Sequence, residues 1–330
     1  MSQKLVLVTG VTGFIAGHVA EQLLQSGYRV RGTARSAKAN TLQETVKVPG
    51  LEFAAIDDVA TSDFTEALKG VHAVFHVAAP LPGKASADET IKTAVEGSLN
   101  VLRQGEKAGI EKFVVTSSFG AVVESSLRPA FAGLNFTDSD WAPVTRDDLV
   151  AHQDDPYYTY FAAKAISEKA VWDFAREHPN LDIATILPGF VYGPFAKHFP
   201  KPTSVSGLGT NSFPYLLING QVPPAAPPYF VDVRDVAKAH VRALSLSPSK
   251  SVEAKRFLIN GGLYSWKEAA QYLKKARPEL NVVDPEKIGD APGPVSTLDT
   301  TRAKEVLDFG EYIPFEKTLE DVVNDLAEIH

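Results

Sequence analysis

The chain opens on Leu5-Val6-Leu7-Val8, turns through Thr9-Gly10-Val11-Thr12-Gly13 and enters a helical pattern over residues 14–25. A strand, a glycine turn and a helix in immediate succession constrain the fold more than any other feature of this sequence. The alternation continues through the first 190 residues. β-Branched runs at 4–9, 28–34, 51–56, 73–78, 112–117 and 182–187 alternate with helical patterns, among them 14–25, 62–69, 87–108 and 158–177. The runs are nearly continuous in Val, Ile, Leu, Phe and Ala, as strands buried on both faces must be. The pattern predicts an α/β protein built on a doubly wound parallel sheet.

Residues 193–228 break the rhythm: they are rich in proline and glycine, with one short apolar helix over 212–219. Helix is expected again over 231–246, a strand at 256–259, and helices over 266–276 and 319–329. This predicts a dinucleotide domain of residues 1–190 plus 229–260 and a smaller, discontinuous C-terminal substrate-binding region of 191–228 plus 261–330. A net charge of −7 argues against nucleic acid or an anionic membrane as partner. The absence of cysteine excludes disulfides and thiolate chemistry. The apolar start is too short for a signal h-region, and no apolar run approaches the roughly 20 residues of a membrane span. A cytoplasmic protein is the expectation. His72 and His76 bracket a strand, too far apart to share a metal without a third ligand, so no metal site is expected. Trp141, Trp172, Trp266 and His240 read as packing residues, and Asp232, Arg234 and Asp235 as helix caps and an ion pair.

The first turn has the context of a phosphate loop. Gly10 permits the tight turn, Gly13 lets the backbone approach a pyrophosphate, and Ala16 and Gly17 let the helix sit close to the sheet. The helix N-terminus offers free N–H groups and a partial positive charge, so Thr12, Phe14 and Ile15 join Gly10 and Gly13 as cofactor-binding candidates. The sheet is thus expected to be of Rossmann type. NAD-selective folds place an acid about 20 residues beyond the loop. Here the second strand ends in Thr33-Ala34-Arg35-Ser36-Ala37-Lys38, without one. Arg35 and Lys38 suit a ribose phosphate, which favours NADP(H). Asp58 and Val59 are placed to meet the adenine edge, and Ala78, Ala79 and Pro80 to line the cleft.

Tyr160 and Lys164 lie four apart on one helix face, and Ser118 ends the strand Thr116-Ser117. A nearby ammonium should draw the phenol pKa down from about 10 toward the working range. A serine hydroxyl beside that phenol could hold a carbonyl oxygen while a proton moves.

These residues, with Leu187-Pro188-Gly189-Phe190-Val191-Tyr192-Gly193-Pro194 and Tyr229-Phe230-Val231-Asp232-Val233-Arg234-Asp235, resemble the extended short-chain dehydrogenase/reductases. Within them the chain is similar to the dihydroflavonol-reductase-like subgroup and its fungal NADPH-dependent aldehyde and ketone reductases of methylglyoxal type. The resemblance covers nearly the whole chain. It implies that Tyr160 donates the proton, that Lys164 binds nicotinamide ribose and lowers the tyrosine pKa, and that Ser118 binds the carbonyl. It also implies that Pro188, Gly189 and Val191 lie under the nicotinamide, and that Leu81, Phe119, Tyr157 and Phe190 face the substrate. A monomer or a homodimer is compatible with it. Sugar-nucleotide members carry an asparagine before the Gly-Thr or Gly-Ser of the fourth helix; this chain reads Ala94-Val95-Glu96-Gly97-Ser98.

Residues 202–230 contain no Asp, Glu, Lys or Arg, but do contain Phe213, Tyr215, Leu216, Leu217, Tyr229 and Phe230. Such a segment suits a neutral, apolar pocket and offers no cation to a nucleotide diphosphate. The expectation is an NADPH-dependent carbonyl reductase acting on small-molecule carbonyls, bulky neutral or aryl ones above all. A nucleotide-sugar epimerase or dehydratase of the same fold and a non-catalytic NADP-sensing protein are the alternatives.

Overall fold

The computed structural model describes residues 3–80, 85–249 and 252–326. β1 (Leu5–Val8) leads through the glycine turn into α1 (Phe14–Gln25), β2 (Arg29–Ala34), α2 (Ser36–Thr45) and β3 (Leu51–Ala55). β4 (Val71–His76), α3 (Ala87–Lys107) and β5 (Lys112–Thr116) follow, then a looped stretch carrying β6 (Asn135–Phe136) and α4 (Arg146–Ala151). Next come α5 (Pro156–Glu177), β7 (Asp182–Pro188), β8 (Val191–Tyr192), α6 (Ser212–Ile218), β9 (Tyr229–Asp232) and α7 (Val233–Leu244). The chain continues with β10 (Arg256–Ile259), β11 (Gly262–Leu263), α8 (Trp266–Ala276), β12 (Thr297–Leu298), α9 (Thr301–Val306) and α10 (Phe315–Leu326).

Seven strands form one parallel sheet in the order β10-β7-β5-β4-β1-β2-β3. The chain leaves β1 toward β2 and β3 on one side and returns to β4 on the other. The carboxyl ends of β1 and β4 are therefore the switch point, where such sheets leave a crevice for ligand. β1 is apolar throughout because both its faces are covered. Val6 and Val8 join the cluster that holds Val19 of α1 and Ala239 of α7, while Leu7 joins the opposite cluster with Val101 and Trp172. Thr9 fastens the switch point. Its Oγ1 accepts the backbone N–H groups of Val77 (3.0 Å) and Ala78 (3.1 Å), leaving its proton for the His76 ring nitrogen 3.0 Å away. Burial holds His76 down at about 3, so the ring is a neutral acceptor and a packing residue.

Four local features differ from the sequence reading. Residues 62–69 form turns instead of a helix. Side chains of α3 satisfy the backbone there: Asn100 Nδ2 donates to the carbonyls of Val59 and Ser62, and Gln104 accepts the Phe64 N–H while donating to Ser62. Residues 229–232 are strand, because β9 pairs with both β8 and β11, and Asp232 caps α7 by accepting the Arg234 N–H at 2.8 Å. The last helix begins at Phe315, and its expected end beyond 326 falls outside the described residues. Finally, Gly17 faces Ala196 and Phe199 of a later loop and not the sheet; a Cβ there would stand 2.9 Å from Ala196 Cβ.

A second apolar cluster gathers α6, α8 and α10 through Leu217, Trp266, Leu273, Leu319 and Val322. Arg234 ties α7 to it, meeting Asp232 at 2.7 Å and Asp321 of α10 at 2.8 Å. Among the described residues no helix is long and apolar enough to cross a membrane.

Candidate active site

The site begins at the glycine turn. Gly10 has φ of +63°, in the region that favours glycine, and a Cβ there would lie 3.0 Å from Ala78 Cβ. Gly13 N–H donates to the Gly10 carbonyl at 2.8 Å, and Gly13 then stands at the start of α1. The helix has no side-chain cap and no acid in its first turn, so the N–H groups over Phe14 and Ile15 lack the partner that a helix end requires. Thr12, Phe14 and Ile15 are half-buried around this end and Gly13 is exposed. The arrangement fits a dinucleotide pyrophosphate, which brings the negative charge and acceptors the helix end lacks.

At the end of β2, Arg35 and Lys38 are exposed and form no salt bridge among the described residues. The sequence reading missed Asp57. Its two oxygens accept the Ser36 N–H at 2.7 Å and the Ser36 hydroxyl at 2.6 Å, capping α2 beside Arg35. Those bonds hold its carboxyl below the usual range. Asp58 spends its carboxylate on its own turn, accepting from Ala60 N and Thr61 Oγ1 at 2.8 and 2.9 Å. Val59 packs on Gly97, whose absent Cβ leaves it room. Ala78 is half-buried against Gly10, and Ala79 is exposed beside it.

Beyond the switch point, β5 and α5 carry the candidate reacting groups. Ser118 follows β5 and is buried; its Oγ accepts the Gly120 N–H at 3.1 Å. Tyr160 and Lys164 share one face of α5, with Lys164 Nζ 5.9 Å from the centre of the tyrosine ring. The same ammonium lies 3.4 Å from the Thr116 carbonyl at the end of β5. Tyr160, Lys164, Val59, Ala78, Ala79, Thr116 and Ser117 border one cavity of about 20 Å³. Burial pushes the Tyr160 phenol up to about 12. It brings Lys164 down to about 8, against the pull of Glu168. The expected lowering of the tyrosine is therefore overturned in this structure: desolvation dominates, and the ammonium sits against the Thr116 carbonyl. The phenol stays protonated throughout the neutral range.

Pro188 ends β7, and Gly189 is buried beneath it with no room for a side chain, because Asn260 Oδ1 occupies the place of its Cβ. Asn260 is a further residue the sequence reading did not single out. Val191 is buried in the cluster that holds α1. Phe190 is half-buried, with its ring 5.2 Å from Phe119 and 6.4 Å from Phe213. Tyr157 is 59% exposed at the start of α5. Phe119 and Tyr229 are closed off in an aromatic cluster, 2% and 0% exposed and 5.3 Å apart. Both rings belong to a core cluster with Ala121, Phe161, Leu187 and Leu258, which encloses them. Leu81 lies outside the described residues. No group of three or more His, Asp or Glu side chains placed to hold a metal occurs among the described residues.

A seven-stranded doubly wound sheet, a glycine turn into an uncapped helix at its switch point and a Tyr160/Lys164 pair on α5 are the features of the short-chain dehydrogenase/reductase class. The chain belongs to the NAD dependent epimerase/dehydratase family, whose sequence pattern matches residues 6–255. A protein of Schizosaccharomyces pombe named as an uncharacterized oxidoreductase is 38% identical, over 86% of this chain and 85% of its own length. Aldehyde reductase 2 of Sporidiobolus salmonicolor is 32% identical over 98% of this chain and 95% of its own. The crystal structure of yeast methylglyoxal/isovaleraldehyde reductase Gre2 complexed with NADPH superposes with a TM-score of 0.83, at 26% identity and 98% coverage of both chains.

Proposed function

We propose that this chain is an NADPH-dependent carbonyl reductase that converts aldehydes and ketones to alcohols. The observation that carries the reading is the Tyr160 and Lys164 pair on one face of α5, with the Lys164 ammonium on the Thr116 carbonyl at the end of β5 two residues before Ser118, next to an uncapped α1 at the switch point. NADPH, when bound, supplies the hydride. Gly10, Thr12, Gly13, Phe14 and Ile15 hold its pyrophosphate, Arg35 and Lys38 its ribose phosphate, and Asp58, Val59, Ala78 and Ala79 the adenosine side of the cleft. Pro188, Gly189 and Val191 floor the nicotinamide side. Ser118 donates to the substrate carbonyl oxygen, and Tyr160, protonated at neutral pH, transfers its phenolic proton to that oxygen as negative charge develops. Lys164 is an ammonium below about pH 8 and stabilises the phenolate left behind. We assign residues 191–228 and 261–330 to the substrate side, with Tyr157 and Phe190 facing the carbonyl compound and Phe119 and Tyr229 behind them.

The test is the loss of NADPH absorbance with a panel of aromatic aldehydes, diketones and keto esters. Tyr160→Phe should lower kcat by about 10²–10⁴-fold, the contribution of a positioned proton donor. NADPH affinity should stay within about twofold, because the phenol makes no part of the phosphate grip. Near-normal turnover by that variant would overturn the assignment.

A further inference from the structure

One turn beyond Lys164 on α5, Glu168 is buried with its side chain 1% exposed. Its oxygens collect bonds from four elements of the sheet and helix layer. Oε1 accepts from Thr185 on β7 at 2.7 Å, from Arg256 Nε on β10 at 3.0 Å and from Trp172 at 3.3 Å. Oε2 accepts from the Ser117 hydroxyl at 2.7 Å and from Arg256 Nη2 at 3.3 Å. Arg256 is equally buried and also donates to the carbonyls of Asp138 (2.6 Å), Asp140 (2.7 Å) and Ala121 (3.2 Å). Its guanidinium lies 3.9 Å from the centre of the Trp141 ring. A buried ion pair is a poor source of stability, since apolar side chains of the same volume do as well or better. What this pair does supply is a fixed point.

Two links run from that point to the reacting groups. Ser117, bonded to Glu168, is the residue before Ser118. Lys164 shares the helix face of Glu168, and its ammonium touches the carbonyl of Thr116, the residue before Ser117. One carboxylate thus joins the strand end that carries Ser118 to the helix that carries Tyr160 and Lys164. We propose that Glu168, clamped by Arg256, is a positioning residue that sets the spacing of Ser118 from Tyr160 and keeps Lys164 in its ammonium form. This deepens the reductase reading and rests on it.

The groups facing Lys164 single out the anion. From β4 comes His76, neutral because burial holds it at about 3; from β5 the Thr116 carbonyl; from α5 the protonated Tyr160 and Glu168. Arg256, from β10, is a cation held behind Glu168. α3 adds only Thr93, Ala94, Gly97 and Ser98 to the cavity that Lys164 borders, so among the described residues that line it Glu168 is the one carboxylate. Burial lowers Lys164, and Glu168 opposes that lowering. Removing its charge must therefore move the lysine further down, and the alkaline limb of kcat with it.

The experiment compares the wild-type protein with Glu168→Gln and Ser117→Ala. For Glu168→Gln the alkaline limb should move to lower pH by at least about half a unit, with NADPH affinity unchanged. Ser117→Ala keeps the charge and cuts the tether, so kcat should fall about tenfold with the limb in place, the result of a misplaced hydroxyl. A Glu168→Gln protein that retains both the wild-type limb and the wild-type kcat would overturn the proposal, whatever its melting temperature. Should that variant fail to fold, wild-type kcat in Ser117→Ala would overturn it instead. The Lys164 ionisation is also followed through its ε-carbon chemical shift in the wild-type and Glu168→Gln proteins, which needs no turnover. If the wild-type protein reduced no carbonyl, the reductase reading would fall while the titration still tested Glu168, and an unmoved lysine would then sink the proposal.

Discussion

Arg35 and Asp57 show how charge at the end of β2 is partitioned. Asp57 lies two residues past the end of β3, and both its oxygens are engaged by Ser36. Arg35 remains exposed at the N-terminus of α2 with no carboxylate claiming it in a salt bridge among the described residues. A guanidinium can grip a phosphate with two parallel bonds, so Arg35→Asp should weaken NADPH binding about tenfold to hundredfold, or roughly 1.5–3 kcal/mol. The KM for NADPH and for NADH in both proteins decides it, and equal values in the unaltered protein would contradict the assignment. Tyr160 teaches the opposite lesson. Its partner is written in the sequence, but its ionisation is governed by how much water the fold removes, which no spacing reveals.

At the scale of elements, the strands of the sheet and the long helices follow from periodicity alone. α1 spans Phe14–Gln25, β10 Arg256–Ile259 and α8 Trp266–Ala276, as the sequence predicts. Residues 62–69 went otherwise because Gln104, an ordinary helix residue by its pattern, reaches across and does the work of a helical bond. Gln104→Ala would strand the Phe64 N–H in a region where Phe64 is fully buried, while the Ser62 carbonyl keeps its bond from Asn100. A cost of about 1–3 kcal/mol is expected, read as a lower melting temperature with NADPH affinity unaltered. An unchanged melting temperature would mean that the turn holds itself. α2 was absent from the expected helices for a related reason: only Ala39 and Leu42 of its residues are buried, too few to leave a stripe.

In the whole molecule an uncharged segment packs through Leu208, Phe213 and Leu217 into the apolar cluster of α8 and α10, and the proposed reductase uses it as the wall of its substrate pocket. Residues 202–230 lack ionisable acids and bases other than tyrosine, and the nearest cation before them, Lys201, is held by Asp325 at 3.1 Å. A carboxylate brought into such a pocket forfeits hydration worth several kcal/mol unless a cation meets it. An aryl keto ester should therefore exceed its free acid in kcat/KM by at least about tenfold, or roughly 1.4 kcal/mol of transition-state binding. Preference for the acid would reveal a cationic anchor and remove the neutral-pocket reading.

The parallel sheet, the glycine turn into α1 and the pairing of Tyr160 with Lys164 on one helix face were already set by the sequence, because each depends on spacing within one strand, turn or helix. Apolar runs buried on both faces, a glycine at positive φ and two side chains one helical turn apart are local facts. Only the tertiary structure decided which residues stand behind them. Ser117, Glu168 and Arg256 are separated by 51 and 88 positions in their bonded pairs, and nothing in the chain marks them as partners. It also decided that Phe119 and Tyr229 are core while Tyr157 meets solvent. Contacts of that kind arise when β10 is laid beside β7, an event that the hydrophobic pattern drives but whose side-chain meetings it does not encode.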